Sequence, residues 1–269
     1  LLSRSEIGIE VTNTIITKPL QRSGDLRNFV VLDDIYKCDI ITLHTPLNLY
    51  GRDKTYHLFN NHNLSKLKDG AVLINTSRGA VINNLDLLNS IEKKKLKVVL
   101  DVWENEPDIN VDLLKAVLIA TPHIAGYSYE GKVNGTKMIY DSLCKFLDEE
   151  KVFSFNMPYE GELKVILKNT EYFMDEKFVK DIRLPPLIEV TDKIENGLEK
   201  LISNIYSIND DDERMRKMLA MNKREKIKYF DSQRKNYPMR REFNNYSVKS
   251  DNLSEDVKNI LERLRFNLA

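Results

Sequence analysis

From the start of the chain to about residue 121, short continuous apolar runs alternate with stretches whose apolar residues recur at helical spacing. The runs at 11–16, 39–43, 71–74, 98–100 and 117–120 are predicted strands. They are apolar at successive rather than alternate positions, so both faces of their sheet must be covered, as in parallel strands joined by crossover helices. Residues 84–93, with Leu85, Leu87, Leu88 and Ile91, and residues 129–147, with Val133, Met138, Ile139, Leu143 and Phe146, predict amphipathic helices. The alternation stops near 151–161, where Pro158 and Gly161 interrupt the chain. Beyond it the pattern predicts a short strand pair at 163–167 and 187–190, an amphipathic helix over 195–206, a charged stretch at 210–217, a segment at 223–237 and a last helix from Ser254. The expectation is an α/β chain: a parallel-sheet domain over 1–150, including its return helix, then a smaller α+β domain over 151–269.

Charge narrows the classes of partner. Lys and Arg together number 41 and so do Asp and Glu, so no global field recruits nucleic acid or an anionic membrane, and an anionic ligand must be held by local charges. No apolar run approaches the roughly 20 residues of a membrane span, and the first residues lack the pattern of a signal peptide, which points to a cytoplasmic protein. Two cysteines, Cys38 and Cys144, make no disulfide framework. The chain begins at Leu1 without Met, and no Gly-x-Gly-x-x-Gly turn precedes the later strands, so a fragment is expected that lacks the first strand and its glycine loop.

Candidate chemistry lies just past the apolar runs, where ligands bind in open α/β sheets. Asn75-Thr76-Ser77-Arg78-Gly79 follows the third run, Asp101 to Pro107 the fourth, and Thr121-Pro122-His123-Ile124-Ala125-Gly126-Tyr127 the fifth. Taken singly, His123 reads as a structural histidine, Glu106 as a solvated carboxylate in a turn closed by Pro107, and Arg78 as a loop cap. Together they are what oxidation of a hydroxy acid needs. Arg78 can grip a carboxylate bidentately, His123 can take the hydroxyl proton, and Glu106 can fix the tautomer and stabilise the charged imidazole. Gly79 and Gly126 would permit the close backbone approach of a planar cofactor ring. His44 is read as structural, His57 and His62 as surface residues, and the run Asp210 to Arg214 as solvated surface.

These segments, with Cys38-Asp39-Ile40-Ile41-Thr42-Leu43-His44-Thr45-Pro46-Leu47, resemble the D-2-hydroxy-acid dehydrogenases over residues 8–147. The resemblance implies an incomplete Rossmann-type cofactor domain that takes NAD. It implies that Arg78 binds the substrate carboxylate, that His123 transfers the proton and that Glu106 is its partner. Thr45, Thr76, Ser77, Arg78, Asp101 and Gly126 would contact NAD, with Asp101 near the nicotinamide carboxamide. Tyr127, Trp103 and the tail segments 234–237 and 240–242 resemble members that act on a small phosphorylated hydroxy acid, Tyr127 touching it. The tail, 151–269, would pair two subunits, with Leu201, Ile205, Tyr206, Tyr229, Phe230 and Tyr237 as its apolar residues and Arg234, Arg240 and Arg241 near the contact. Thr17-Lys18-Pro19 stands where the family holds the adenosine ribose with an acid, which leaves NADP as an alternative to NAD. A different hydroxy acid, or a remnant that only dimerises, are the alternative functions.

Overall fold

Parallel strands form where the apolar runs fall. In the computed structural model, which describes residues 32–51, 53–150, 188–189, 198, 201–203, 205–249 and 253–268, they are β1 (Ile40–Leu43), β2 (Val72–Asn75), β3 (Lys97–Leu100) and β4 (Ile119–Ala120). They pair in chain order, all parallel. One rung, Leu43, Asn75, Leu100 and Ala120, aligns the four carboxyl ends, so the loops that follow leave the sheet along one line. The predicted strands at 11–16 and 163–167 and the Thr17-Lys18-Pro19 segment lie outside the described residues.

Each connection carries its own start signal. Helices α2 (Asn61–Ser65), α3 (Asn84–Lys94) and α4 (Val111–Ala116) follow a short α1 (Leu32–Ile35). Asn60, Asn83 and Asn110 cap the three, each accepting from free backbone N–H groups of the first turn. Leu64, Leu87, Leu113 and Leu114 are fully buried with Leu73 and Leu100 of the sheet.

The chain divides into two compact units, and the division is not the single boundary near residue 150 that the pattern implied. One unit holds the sheet and also residues 208–236; the other holds 126–207 and 237–269. In the first, α6 (Ile208–Arg216) and α7 (Lys223–Lys235) place Met215, Met218 and Phe230, all fully buried, in the sheet's own core. The acidic run read as solvated surface is therefore corrected: Asp211 is buried, and Asp212 is largely covered. Strand β4 leaves a backbone N–H on the side away from β3, and that group needs an acceptor. Ala120 N donates to Asp212 Oδ1 at 2.7 Å. Arg216 donates to the other carboxylate oxygen and to the carbonyls of Leu114 and Val117 at the end of α4. Phe230 belongs to this core.

The second unit contains α5 (Tyr129–Leu147) and a parallel sheet of β5 (Ile188–Glu189), β6 (Ser247–Lys249) and β7 (Asn267–Leu268). Ser254 caps α8 (Glu255–Arg263), whose Val257 and Leu261 pack with Leu201, Tyr246, Val248 and Phe266. Buried Glu130, in the first turn of α5, is paired with Arg241 and accepts from Glu242 N at 2.9 Å. Arg241 is thus paired within its own chain. Of the α5 residues only Glu130 and Cys144 are buried. Met138, Ile139 and Phe146 are 69%, 73% and 84% exposed.

Candidate active site

The turn after β2 is built by one buried side chain. Asn75 Oδ1 accepts from Ser77 N at 3.1 Å and Ser77 Oγ at 2.8 Å, and its Nδ2 donates to Arg78 O at 3.0 Å. An asparagine can close such a turn because its amide carries both acceptor and donors. The fold-back buries Asn75 and Ser77 and leaves Arg78 exposed, its guanidinium donating to Ser77 O. Gly79 is pressed on protein: a Cβ there would lie 1.9 Å from the carbonyl oxygen of Trp103. Its missing side chain serves the approach of two loops of this chain, which corrects the reading that it makes room for a cofactor ring.

After β3, Asp101 organises the loop that follows β4. It is 3% exposed. Its Oδ1 accepts from Thr121 Oγ1 at 2.6 Å and Ile124 N at 2.7 Å, its Oδ2 from Ala125 N at 3.0 Å, and its backbone carbonyl from His123 N at 2.7 Å. Both carboxylate oxygens are thus engaged by the loop itself. His123 is held between these anchors at φ +59°, a left-handed conformation uncommon outside glycine. The Trp103 indole donates to Thr121 O at 3.1 Å and ties the β3 loop to the same segment.

Glu106 then meets the imidazole. Its Oε1 accepts from Trp103 N at 2.7 Å, and its Oε2 lies 2.8 Å from His123 Nδ1. The glutamate side chain is 18% exposed and the histidine 31%. An ionised carboxylate can only accept, so Nδ1 carries the proton, and Nε2 keeps a lone pair able to take one. That is the arrangement of a general base with an orienting acid.

The remaining expected residues fall nearby or elsewhere. Thr45 follows β1, and its Oγ1 is buried with no hydrogen-bond partner among the described residues. His44 lies beside it, its ring nitrogens 2.8 Å from Thr42 Oγ1 and 3.3 Å from Thr76 Oγ1. Gly126 and Tyr127 belong to the second unit, where the Tyr127 ring stands edge-on to Tyr237 and under Lys132. His57 is not the surface residue expected: it is half-buried, 2.6 Å from Glu104 Oε1 and stacked on Tyr56. The Glu-x-Glu spacing of Glu104 and Glu106 was the available signal for that second pair. Among the described residues no cluster of His, Cys, Asp and Glu is arranged to hold a metal ion.

Residues 8–125 match the family model of the D-isomer specific 2-hydroxyacid dehydrogenase NAD binding domain, and residues 179–264 match a domain of unknown function. The chain is 39% identical over 251 residues to an erythronate-4-phosphate dehydrogenase of Proteus mirabilis strain HI4320, covering 93% of this chain and 60% of that one. It is 37% identical over 242 residues to the protein of that name from Cellvibrio japonicus strain Ueda107, covering 87% of this chain and 58% of that one. A solved glyoxylate reductase from Paecilomyes thermophila is 33% identical with a TM-score of 0.38, covering 44% of this chain and 35% of that one. The chain spans about 60% of the length of the curated relatives it matches.

Proposed function

We propose, from the match of residues 8–125 to the family model of the D-isomer specific 2-hydroxyacid dehydrogenase NAD binding domain, that the protein oxidises 4-phospho-D-erythronate to 2-oxo-3-hydroxy-4-phosphobutanoate, a step toward pyridoxal 5'-phosphate. The observation that carries this reading is the Glu106 Oε2 to His123 Nδ1 contact of 2.8 Å, beside the aligned strand ends. The substrate is argued from the names of the relatives that share 93% and 87% of this chain. NADP is the alternative cofactor, since no acid stands in Thr17-Lys18-Pro19.

Arg78, exposed on its turn, grips the substrate carboxylate and sets C2 in place. His123 Nε2 takes the C2 hydroxyl proton, and Glu106 stabilises the imidazolium that results. Bound NAD supplies the acceptor for the hydride that leaves C2 as the carbonyl forms. Thr45, Thr76 and Ser77 hold the cofactor along the strand ends; the buried Thr45 Oγ1, unpartnered among the described residues, is a polar atom that a ligand would satisfy. Asp101 contributes by fixing the His123 loop. Two copies pair through residues 151–269 in the cytoplasm. Charge balance supports a small-molecule partner over nucleic acid, and no described helix is long and apolar enough to cross a membrane.

The test is turnover by the purified natural protein with NAD on 4-phospho-D-erythronate, 3-phosphoglycerate and D-lactate, followed by absorbance of the reduced cofactor. The phosphoerythronate should be preferred. His123→Asn should lower kcat by about 10²–10⁴-fold while calorimetry shows NAD affinity kept, because the lost group acts on a proton in flight. Preference for another acid, or full turnover by His123→Asn, would overturn the reading.

A further inference from the structure

A second histidine–carboxylate pair lies two residues along the chain from the first, and its bonds run in a different direction. Glu104 is 18% exposed and His57 24%. His57 Nε2 is 2.6 Å from Glu104 Oε1, and Asn84 N, at the start of α3, donates to Glu104 Oε2 at 2.7 Å. Asn84 belongs to the stretch that continues from Arg78, and His57 is tied to that stretch by its backbone. His57 N donates to Ala80 O at 2.8 Å, Phe59 N to Val81 O at 3.1 Å and Asn83 N to Phe59 O at 3.0 Å, so residues 57–59 are laced along 80–83. Gly79 meanwhile rests on the backbone of Trp103 and Glu104, which an added Cβ would strike. The other end of the same loop is Glu106, whose Oε1 accepts from Trp103 N while its Oε2 faces His123.

We propose that Glu104 and His57 are positioning residues: the Glu104 carboxylate is a strut that fixes the distance between the Arg78 turn and the loop presenting Glu106 to His123. A carboxylate suits the task because it accepts from two donors at once, and burial makes each bond costly to leave unmade. Neither residue needs to touch a ligand. A hydroxy acid gripped at its carboxylate by Arg78 and deprotonated at the neighbouring C2 hydroxyl by His123 requires those two groups at a fixed spacing, and a misplacement of about 1 Å can cost about 10²-fold in rate. The catalytic consequence rests on the function proposed above; the geometric claim does not.

The experiment therefore has two readouts on the purified natural protein. Long-range imidazole ¹⁵N spectra, assigned by loss of the signal in His123→Asn, report which ring nitrogen of His123 carries the proton. In Glu104→Ala the Nδ1–H form should give way to a mixture, as in Glu106→Gln. Glu104→Gln, whose amide oxygen still accepts from Asn84 N, should restore much of it. In the same series kcat should fall and KM for the hydroxy acid rise in Glu104→Ala, by about 10- to 100-fold combined in kcat/KM, with NAD affinity kept. A folded Glu104→Ala protein with the parent's tautomer and the parent's kcat/KM would overturn the proposal. If Glu104→Ala does not fold, His57→Gln, which keeps the Asn84 bond, takes its place, and unchanged tautomer and kcat/KM there overturn it equally. A parent that turns over no hydroxy acid would sink the proposed function and leave the strut to be judged on the tautomer alone.

Discussion

Two buried carboxylates solve the same problem in opposite ways. Asp101, 3% exposed in the sheet unit, is balanced by a hydroxyl and two backbone N–H groups, all from residues 121–125. Glu130, 2% exposed in the other unit, is balanced by a full cation, Arg241, more than a hundred residues away, with Glu242 N beside it. The first arrangement neutralises an anion with oriented dipoles, as nests of backbone N–H groups do, and shapes a short loop without bringing a cation next to His123. The second welds the first turn of α5 to the tail. The sheet unit thus uses dipoles that shape one loop, whereas the other unit uses an ion pair that joins residues far apart in the chain.

The contrast is broken most strongly at Glu130. Removing one partner of a buried pair strands the other charge, which costs about 3–5 kcal/mol. Glu130→Ala, compared with the parent in denaturant melts, should lose stability of that order and release the tail's tryptic sites. A double variant, Glu130→Ala with Arg241→Met, should recover part of the loss, since no charge is then left buried. A Glu130→Ala protein as stable as its parent would show that the ion pair does not hold α5 to the tail.

The strand ends, and the residues just beyond them, were legible in the sequence because parallel strands advertise themselves as apolar runs and their carboxyl ends follow directly. Asn75, Asp101 and His123 stand on or just beyond strand ends that the pattern placed within a residue or so. Helix α5 matched its predicted bounds at both ends. What pattern could not show was long-range pairing. Asp211 and Asp212 sit in a run of charges that looks solvated, and only the unmet N–H of Ala120, 92 positions earlier, explains why Asp212 is drawn inward. Gly79 was recognised as a close-approach position, but the approaching atoms are those of Trp103 and Glu104.

A milder break acts on Asp101. Asp101→Asn keeps one acceptor oxygen for Thr121 Oγ1 and Ile124 N but turns an NH₂ toward Ala125 N, which leaves a donor facing a donor. The expected loss is about 1–3 kcal/mol, smaller than at Glu130 because no charge is stranded. The readout that separates a loop effect from simple destabilisation is hydrogen exchange: protection should fall at the amides of His123, Ile124 and Ala125 while Leu73 and Leu100 in the sheet keep theirs. Uniform loss across the sheet would show that Asp101 supports the whole unit rather than one loop.

The smallest effect is expected at the far end of α5. The helix is anchored at Glu130 and, toward its end, at Cys144, yet Phe146 is 84% exposed. Burial of a phenylalanine is worth roughly 1.5–3 kcal/mol, whereas an exposed ring contributes almost none of that. Phe146→Ser should therefore leave the stability of the purified 269-residue chain within about 0.5 kcal/mol of the parent. Light scattering should change more than the melt, because a solvated apolar face promotes self-association without supporting the fold. A loss of about 2 kcal/mol, on the scale of full burial, would mean that this face is covered in solution, and the ion pair at Glu130 would then share with a second contact the work of holding α5.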